Sequence, residues 1–210
     1  MNSARSAILA RIRHCSDKQS DVAQARLLAP SIHEQPLLKA DLLTQFTEKV
    51  EKSSATWDSV SEYNTIPSAV FEFLTQHQLP LEVIIERQLT FLSWPEVMTV
   101  AYRRPQSQDS TSVNIAFAGI AETGSLVMRS QPSSPTTLNF LPENHIVLLE
   151  KSNIVAHIEA IWPRIRLQAL PRTINIITGP SRTADIEQTL QLGAHGPKRV
   201  HVILVDTPLG

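Results

Sequence analysis

Leu38, Leu42, Phe46 and Val50 recur at every fourth position, with Glu48, Lys49 and Glu51 between them. That spacing predicts a helix with one apolar stripe, ended by Ser53, Ser54 and Thr56. Ala4, Ile8 and Ile12 show the same spacing and predict a short helix over residues 3–14. From 15 to 35 the pattern is polar and reads as an arm. Thr65 before Ile66-Pro67 suits a helix start with proline in its first turn, and Ile66, Val70, Phe73 and Leu74 give its buried face. Leu79-Pro80 ends it.

Strands follow. Val83–Ile85 is a short apolar run, and Val97 to Tyr102 alternates in part. Arg103 to Ser110 is polar and predicts a loop. Val113, Ile115 and Phe117 alternate and run on into Ala118-Gly119-Ile120, and Leu126–Met128 is a further strand. Gln131 to Thr137 carries two prolines and predicts an exposed loop. His145 to Glu150, Ile174 to Ile177 and Val200 to Val205 read as strands, the last one closing the fold. Between them, Ile154, Val155, Ile158, Ile161 and Trp162 fit one helical face stopped by Pro163, and Thr183 to Leu192 predicts a second helix. This alternation favours parallel pairing, an α/β fold with an open, mostly parallel sheet flanked by helices. The expected organisation is an N-terminal helix and arm over 1–35 and one α/β domain over 36–210.

Composition narrows the function. The 210 residues are 42% hydrophobic, which excludes a wholly disordered chain. Lys plus Arg is 19 against 20 Asp plus Glu, a net charge of −1, which argues against a general nucleic-acid binder though not against a local basic patch. Cys15 is the single cysteine, so this chain cannot supply the thiolates of an iron–sulfur cluster or a cysteine zinc site. No apolar run approaches the ~20 residues of a membrane span, and Arg5, Arg11 and Arg13 interrupt the first stretch as no secretory signal would. A cytoplasmic protein without a membrane span is the expectation.

Three segments carry candidate chemistry. In Ala118-Gly119-Ile120-Ala121-Glu122-Thr123-Gly124-Ser125-Leu126 a carboxylate sits among small residues between two strands. Glu122 could be a nucleophile, a base or a ligand-orienting acceptor, or only a turn carboxylate holding backbone N–H groups. Thr178-Gly179-Pro180-Ser181-Arg182-Thr183-Ala184-Asp185-Ile186-Glu187 follows a strand and opens an expected helix, where α/β folds bind anions. There Arg182 could grip a carboxylate or phosphate with paired bonds, and Ser181 and Thr183 add hydroxyl donors. Asp185 with Gln188 could equally cap the helix, and Arg182 could make a surface ion pair. In Gly193-Ala194-His195-Gly196-Pro197, His195 could act as acid or base, or bond its own turn. His14, His33, His77 and His157 are scattered and read as solvated or satisfied, His201 reads as structural, and no metal site is predicted.

Together these three segments, with Ile8-Leu9-Ala10-Arg11-Ile12-Arg13, resemble the LUD-domain family, in particular its lactate-utilisation C-type members. The resemblance spans essentially the whole chain and is strongest in its last 95 residues. It implies a fold similar to that of glucosamine-6-phosphate deaminase, ribose-5-phosphate isomerase and the CoA transferases. It also implies a cluster-free subunit of a lactate-utilisation system, taking part in oxidation of L-lactate to pyruvate with iron–sulfur partner proteins and binding a small anionic ligand. The cofactor is left unknown. On that reading Glu122 and His195 are the catalytic candidates, and Thr123, Gly124, Gly179, Ser181, Arg182, Thr183 and Asp185 the anion-binding ones. Two alternatives stay open: a stand-alone acyl- or CoA-transferase-like enzyme using Glu122, and a non-catalytic assembly or sensing subunit.

Overall fold

The computed structural model describes residues 4–11, 13–14, 35–38, 41–167, 170–183, 191–192 and 196–207. The chain divides into two units, Met1–Pro36 and Leu37–Gly210. In the first, residues 4–11 and 13–14 are helical, as the Ala4–Ile8 spacing predicts.

In the second, α1 (Leu42–Lys52) starts where Asp41 caps it, the carboxylate accepting from the Leu43 and Thr44 backbone N–H groups at 3.2 Å each. It is followed by β1 (Thr56–Val60), α2 (Ile66–Gln76), β2 (Glu82–Ile85), β3 (Thr99–Ala101), β4 (Thr111–Ile115), β5 (Ala118–Ile120) and β6 (Ser125–Arg129). Then come α3 (Thr137–Phe140), β7 (Asn144–Glu150), β8 (Ile154–Val155), α4 (Ile161–Arg166), β9 (Ile174–Ile177), β10 (Arg182–Thr183), β11 (Gln191–Leu192) and β12 (Arg199–Val205).

Among the described residues, the main sheet has six strands in the order β1-β12-β7-β4-β2-β3, and every neighbouring pair is parallel. Both faces are covered, so successive residues of one strand enter opposite cores. Ile146 and Leu148 of β7, with Ile203 and Val205 of β12, pack with Ile66, Val70, Phe73 and Leu74 of α2. Val147, Leu149, Val200, Val202 and Leu204 face the other way, toward Phe46 and Val50 of α1. The α/β class and mostly parallel sheet expected from the sequence are what the chain adopts. β12, last in sequence, inserts between β1 and β7, one strand in from the edge of the sheet.

A second sheet runs β8-β5-β6-β9. The apolar run from Val113 to Ile120 divides between the two sheets. Ala116 N–H still donates to Leu148 in the main sheet, at 2.8 Å, and Phe117 N–H donates to Val127 in the second, also at 2.8 Å. Leu126, Met128 and Ile177 face α1, while Ala118, Ile120 and Val127 face Ile161 and Ile165 of α4.

Two helix expectations need correction. Ile154 and Val155 form β8, paired parallel with β5, and α4 begins only at Ile161, with Pro163 inside its first turn instead of after its end. The apolar spacing is real, but the small sheet takes its first two positions. Likewise, Thr183 pairs with Gln191 and Arg182 with Leu192 in an antiparallel ribbon, so the two ends of the helix expected over Thr183–Leu192 are strand. Residues 184–190 lie outside the described residues.

Candidate functional site

Glu122 leaves the end of β5, and His157 stands just beyond β8. The ladder between these strands continues past their ends, Ala121 N–H donating to Val155 at 2.8 Å and Glu122 N–H to Ala156 at 3.1 Å. Both side chains therefore emerge at one level, and His157 Nδ1 lies 3.0 Å from Glu122 Oε2. The imidazole is largely buried and the carboxylate partly exposed. A carboxylate holding one ring nitrogen fixes the ring's orientation, leaving the other nitrogen to exchange a proton. His157, expected to be solvated or satisfied, is the partner of the carboxylate singled out by sequence. Its position is set by strand pairing, which leaves no spacing signal.

The turn after Glu122 is tied to the second motif. Thr123 Oγ1 and Thr178 Oγ1 each lie 2.6 Å from the buried Ser125 Oγ. Gly124 and Gly179 have φ of +70° and +71°. A Cβ on Gly124 would lie 2.7 Å from the Lys49 backbone, and one on Gly179 would strike the Ser53 carbonyl oxygen. Both glycines thus let their turns sit directly on the C-terminal end of α1. Ser181 N–H donates to Pro197 at 2.8 Å, which joins the second motif to the third. Arg182 is exposed on β10 and Thr183 pairs beside it. Asp185 and His195 lie outside the described residues.

The structure therefore brings the Glu122, Thr178 and Pro197 turns together. The reason given for an anion at Thr178–Thr183 does not carry over. β9 is antiparallel to β6 in the second sheet, so this turn is not at the carboxyl end of a parallel strand.

The carboxyl ends of the parallel strands lie elsewhere. There Glu86 follows β2, Ala116 follows β4 and Glu150 ends β7, and together they line a cleft of about 400 Å³ with Phe117, Arg129 and Arg164. Glu86 is buried, and its Oε2 accepts the Ile115 N–H at 2.9 Å. Burial pushes its carboxyl above the usual range, against the pull of the Ile115 N–H, the Ser134 side chain and the Arg129 charge. Burial lowers Arg129, and the charge of Glu86 works against that. An acid directly after each of two apolar strands, at Glu86 and Glu150, was the signal in the sequence for this cleft. Among the described residues, no group of three or more His, Cys, Asp or Glu could hold a metal ion.

The class of protein this chain is similar to is the LUD domain, whose family model matches residues 106–205. The particular proteins it is similar to are curated relatives called lactate utilization protein C. The relative from Anoxybacillus flavithermus is 39% identical over 88 residues, covering 41% of this chain and 40% of the relative. That from Exiguobacterium is 34% identical over 122 residues, covering 55% and 53%. The chain thus spans about half the length of the curated relatives it matches. A solved DUF162 family protein from Deinococcus radiodurans shares the fold, with TM-score 0.61 and 21% identity, covering 81% of this chain and 99% of that one.

Proposed function

We propose that this chain is the cluster-free subunit of a lactate-utilisation system and takes part with iron–sulfur partner proteins in oxidising L-lactate to pyruvate. The relatives called lactate utilization protein C support the pathway. The observation that carries a chemical role is the Glu122–His157 pair among the three motif turns. Converting lactate to pyruvate breaks the O–H and C–H bonds at C2 and forms a C=O bond. His157, oriented by Glu122, takes the hydroxyl proton. Amino-acid side chains do not accept the electron pair, so that pair and the C2 proton leave to a redox centre of a partner protein. Arg182, exposed beside these turns, is the contact for the substrate carboxylate, with Ser181 next to it. Engagement of Glu122 by an imidazole favours proton transfer over attack on an acyl group. A cytoplasmic location belongs to the same proposal; among the described residues no helix is long and apolar enough to cross a membrane.

The test is pyruvate formation from L-lactate by the chain reconstituted with its iron–sulfur partners. His157→Asn and Glu122→Gln each lower turnover by about 10²-fold, the scale of lost acid–base catalysis, and Arg182→Gln raises KM. Wild-type turnover in all three variants rejects the assignment.

A further inference from the structure

The cleft at the carboxyl ends of β2, β4 and β7 shares no residue with the motif turns. Two guanidinium groups converge on one aromatic ring there: Arg129 Cζ lies 4.1 Å and Arg164 Cζ 5.6 Å from the Phe117 centroid. Both cations line the same cleft, beside the ring's apolar surface.

Arg164 is held by a chain of bonds that runs back into the core. Its Nη2 donates to Asn153 Oδ1, Asn153 Nδ2 donates to Glu150 Oε2 at 2.8 Å, and Tyr63 O–H donates to Glu150 Oε1 at 3.0 Å. Oε2 of Glu150 thus orients Asn153, and through it Arg164, while Tyr63 holds Oε1. The other acid, Glu86, is anchored by the Ile115 N–H on the Arg129 side of the cleft. A guanidinium fixed in advance loses little freedom when it grips a planar carboxylate. The cleft's size is in the range of small-molecule sites, roughly 300–1,000 Å³.

We infer that this cleft binds a small organic carboxylate, its charge met by Arg129 and Arg164 and its carbon chain against Phe117. This deepens the lactate reading, on which the choice of probes rests, but it assigns binding to residues which that reading does not use.

The test is calorimetric titration of the full chain with L-lactate, pyruvate and inorganic phosphate. The expected result is binding of one of the two carboxylates. Arg164→Gln weakens it at least tenfold, Arg164→Lys weakens it less, and Glu86→Gln does not weaken it. A melting temperature for Arg164→Gln close to wild type shows that the fold is kept; if it drops, Arg164→Lys against Arg164→Gln supplies the comparison. Binding lost in Arg182→Gln but intact in Arg164→Gln overturns the cleft and leaves the lactate reading standing. Absence of binding for both carboxylates, or preference for phosphate, overturns it as well, whatever the reconstituted turnover shows.

Discussion

His157 Nδ1 stands 3.0 Å from Glu122 Oε2 across 35 residues of sequence. The parallel pairing of Gly119 with Ile154 and Ile120 with Val155 produces the meeting. A charge-assisted bond in this partly shielded position couples the two side chains by about 1 kcal/mol. Urea denaturation of Glu122→Gln, His157→Asn and the double variant measures that coupling. Additive losses would show that the two groups do not stabilise one another.

Gly179 packs on the last turn of α1 with φ of +71°. Alanine there strains the backbone and drives its Cβ into the Ser53 carbonyl oxygen, so Gly179→Ala costs at least about 2 kcal/mol. Gly196 is the matched control. Its Cβ would meet Ser181 Cβ at 3.5 Å, an ordinary contact, so Gly196→Ala changes stability by less than about 1 kcal/mol. Equal losses in the two variants would contradict this account. The same geometry bears on function: a glycine in a motif need not face a ligand, and this one faces a helix.

What could be read from the sequence follows what each residue senses locally. His145–Glu150 and Val200–Val205 are plain as strands because both faces are buried. Their order in the sheet depends on distant partners, so the place of β12 between β1 and β7 is not written in the run itself. Ile154 and Val155 satisfy a helical spacing equally well, and only pairing with β5 decides against it. Each motif turn is legible by itself, since it lies at an element end and is rich in small residues. His157 is not, and of the cleft only the acids Glu86 and Glu150 are. Strand pairing places His157, and Arg129 and Arg164 meet at Phe117 from β6 and α4.

Ser125 joins the two motif turns through a single hydroxyl. It is buried, and Thr123 and Thr178 each approach it at 2.6 Å. Ser125→Ala removes a shared partner from both threonines, which costs about 1–2 kcal/mol. The urea midpoint falls while the m-value stays at wild type, since the surface exposed on unfolding is unchanged. An unaltered midpoint would mean that the threonines find other partners.

The acid limit of the fold is set in part by two buried histidines. His145 is fully buried on β7; its Nε2 lies 2.7 Å from Asn114 Oδ1, and Asn114 Nδ2 donates to Asn139 Oδ1 at 2.7 Å. Because a carbonyl oxygen only accepts, Nε2 carries a proton. Burial pushes its pKa from 6.5 down to about 3. His201, stacked on Phe73 at 4.1 Å, is pushed to about 4 by burial and then by the charge of His77. Both folded values lie below the unfolded one. Their contribution is therefore fully present above pH 6.5 and is lost as pH falls from there toward the folded values, because only the unfolded chain binds the protons. Glu86 works in the opposite sense. Burial raises it above 4.5, so its contribution is present below that pH and declines as pH rises through the folded value. The two histidines outweigh the one glutamate, and stability falls between pH 6.5 and 4. Each proton bound only by the unfolded chain adds a slope of about 1.4 kcal/mol per pH unit. His145→Gln retains an N–H for Asn114 and does not titrate, so it takes close to one proton's slope out of the profile. Urea unfolding measured across this range reads that slope directly, and a variant profile parallel to wild type would remove His145 from the acid response.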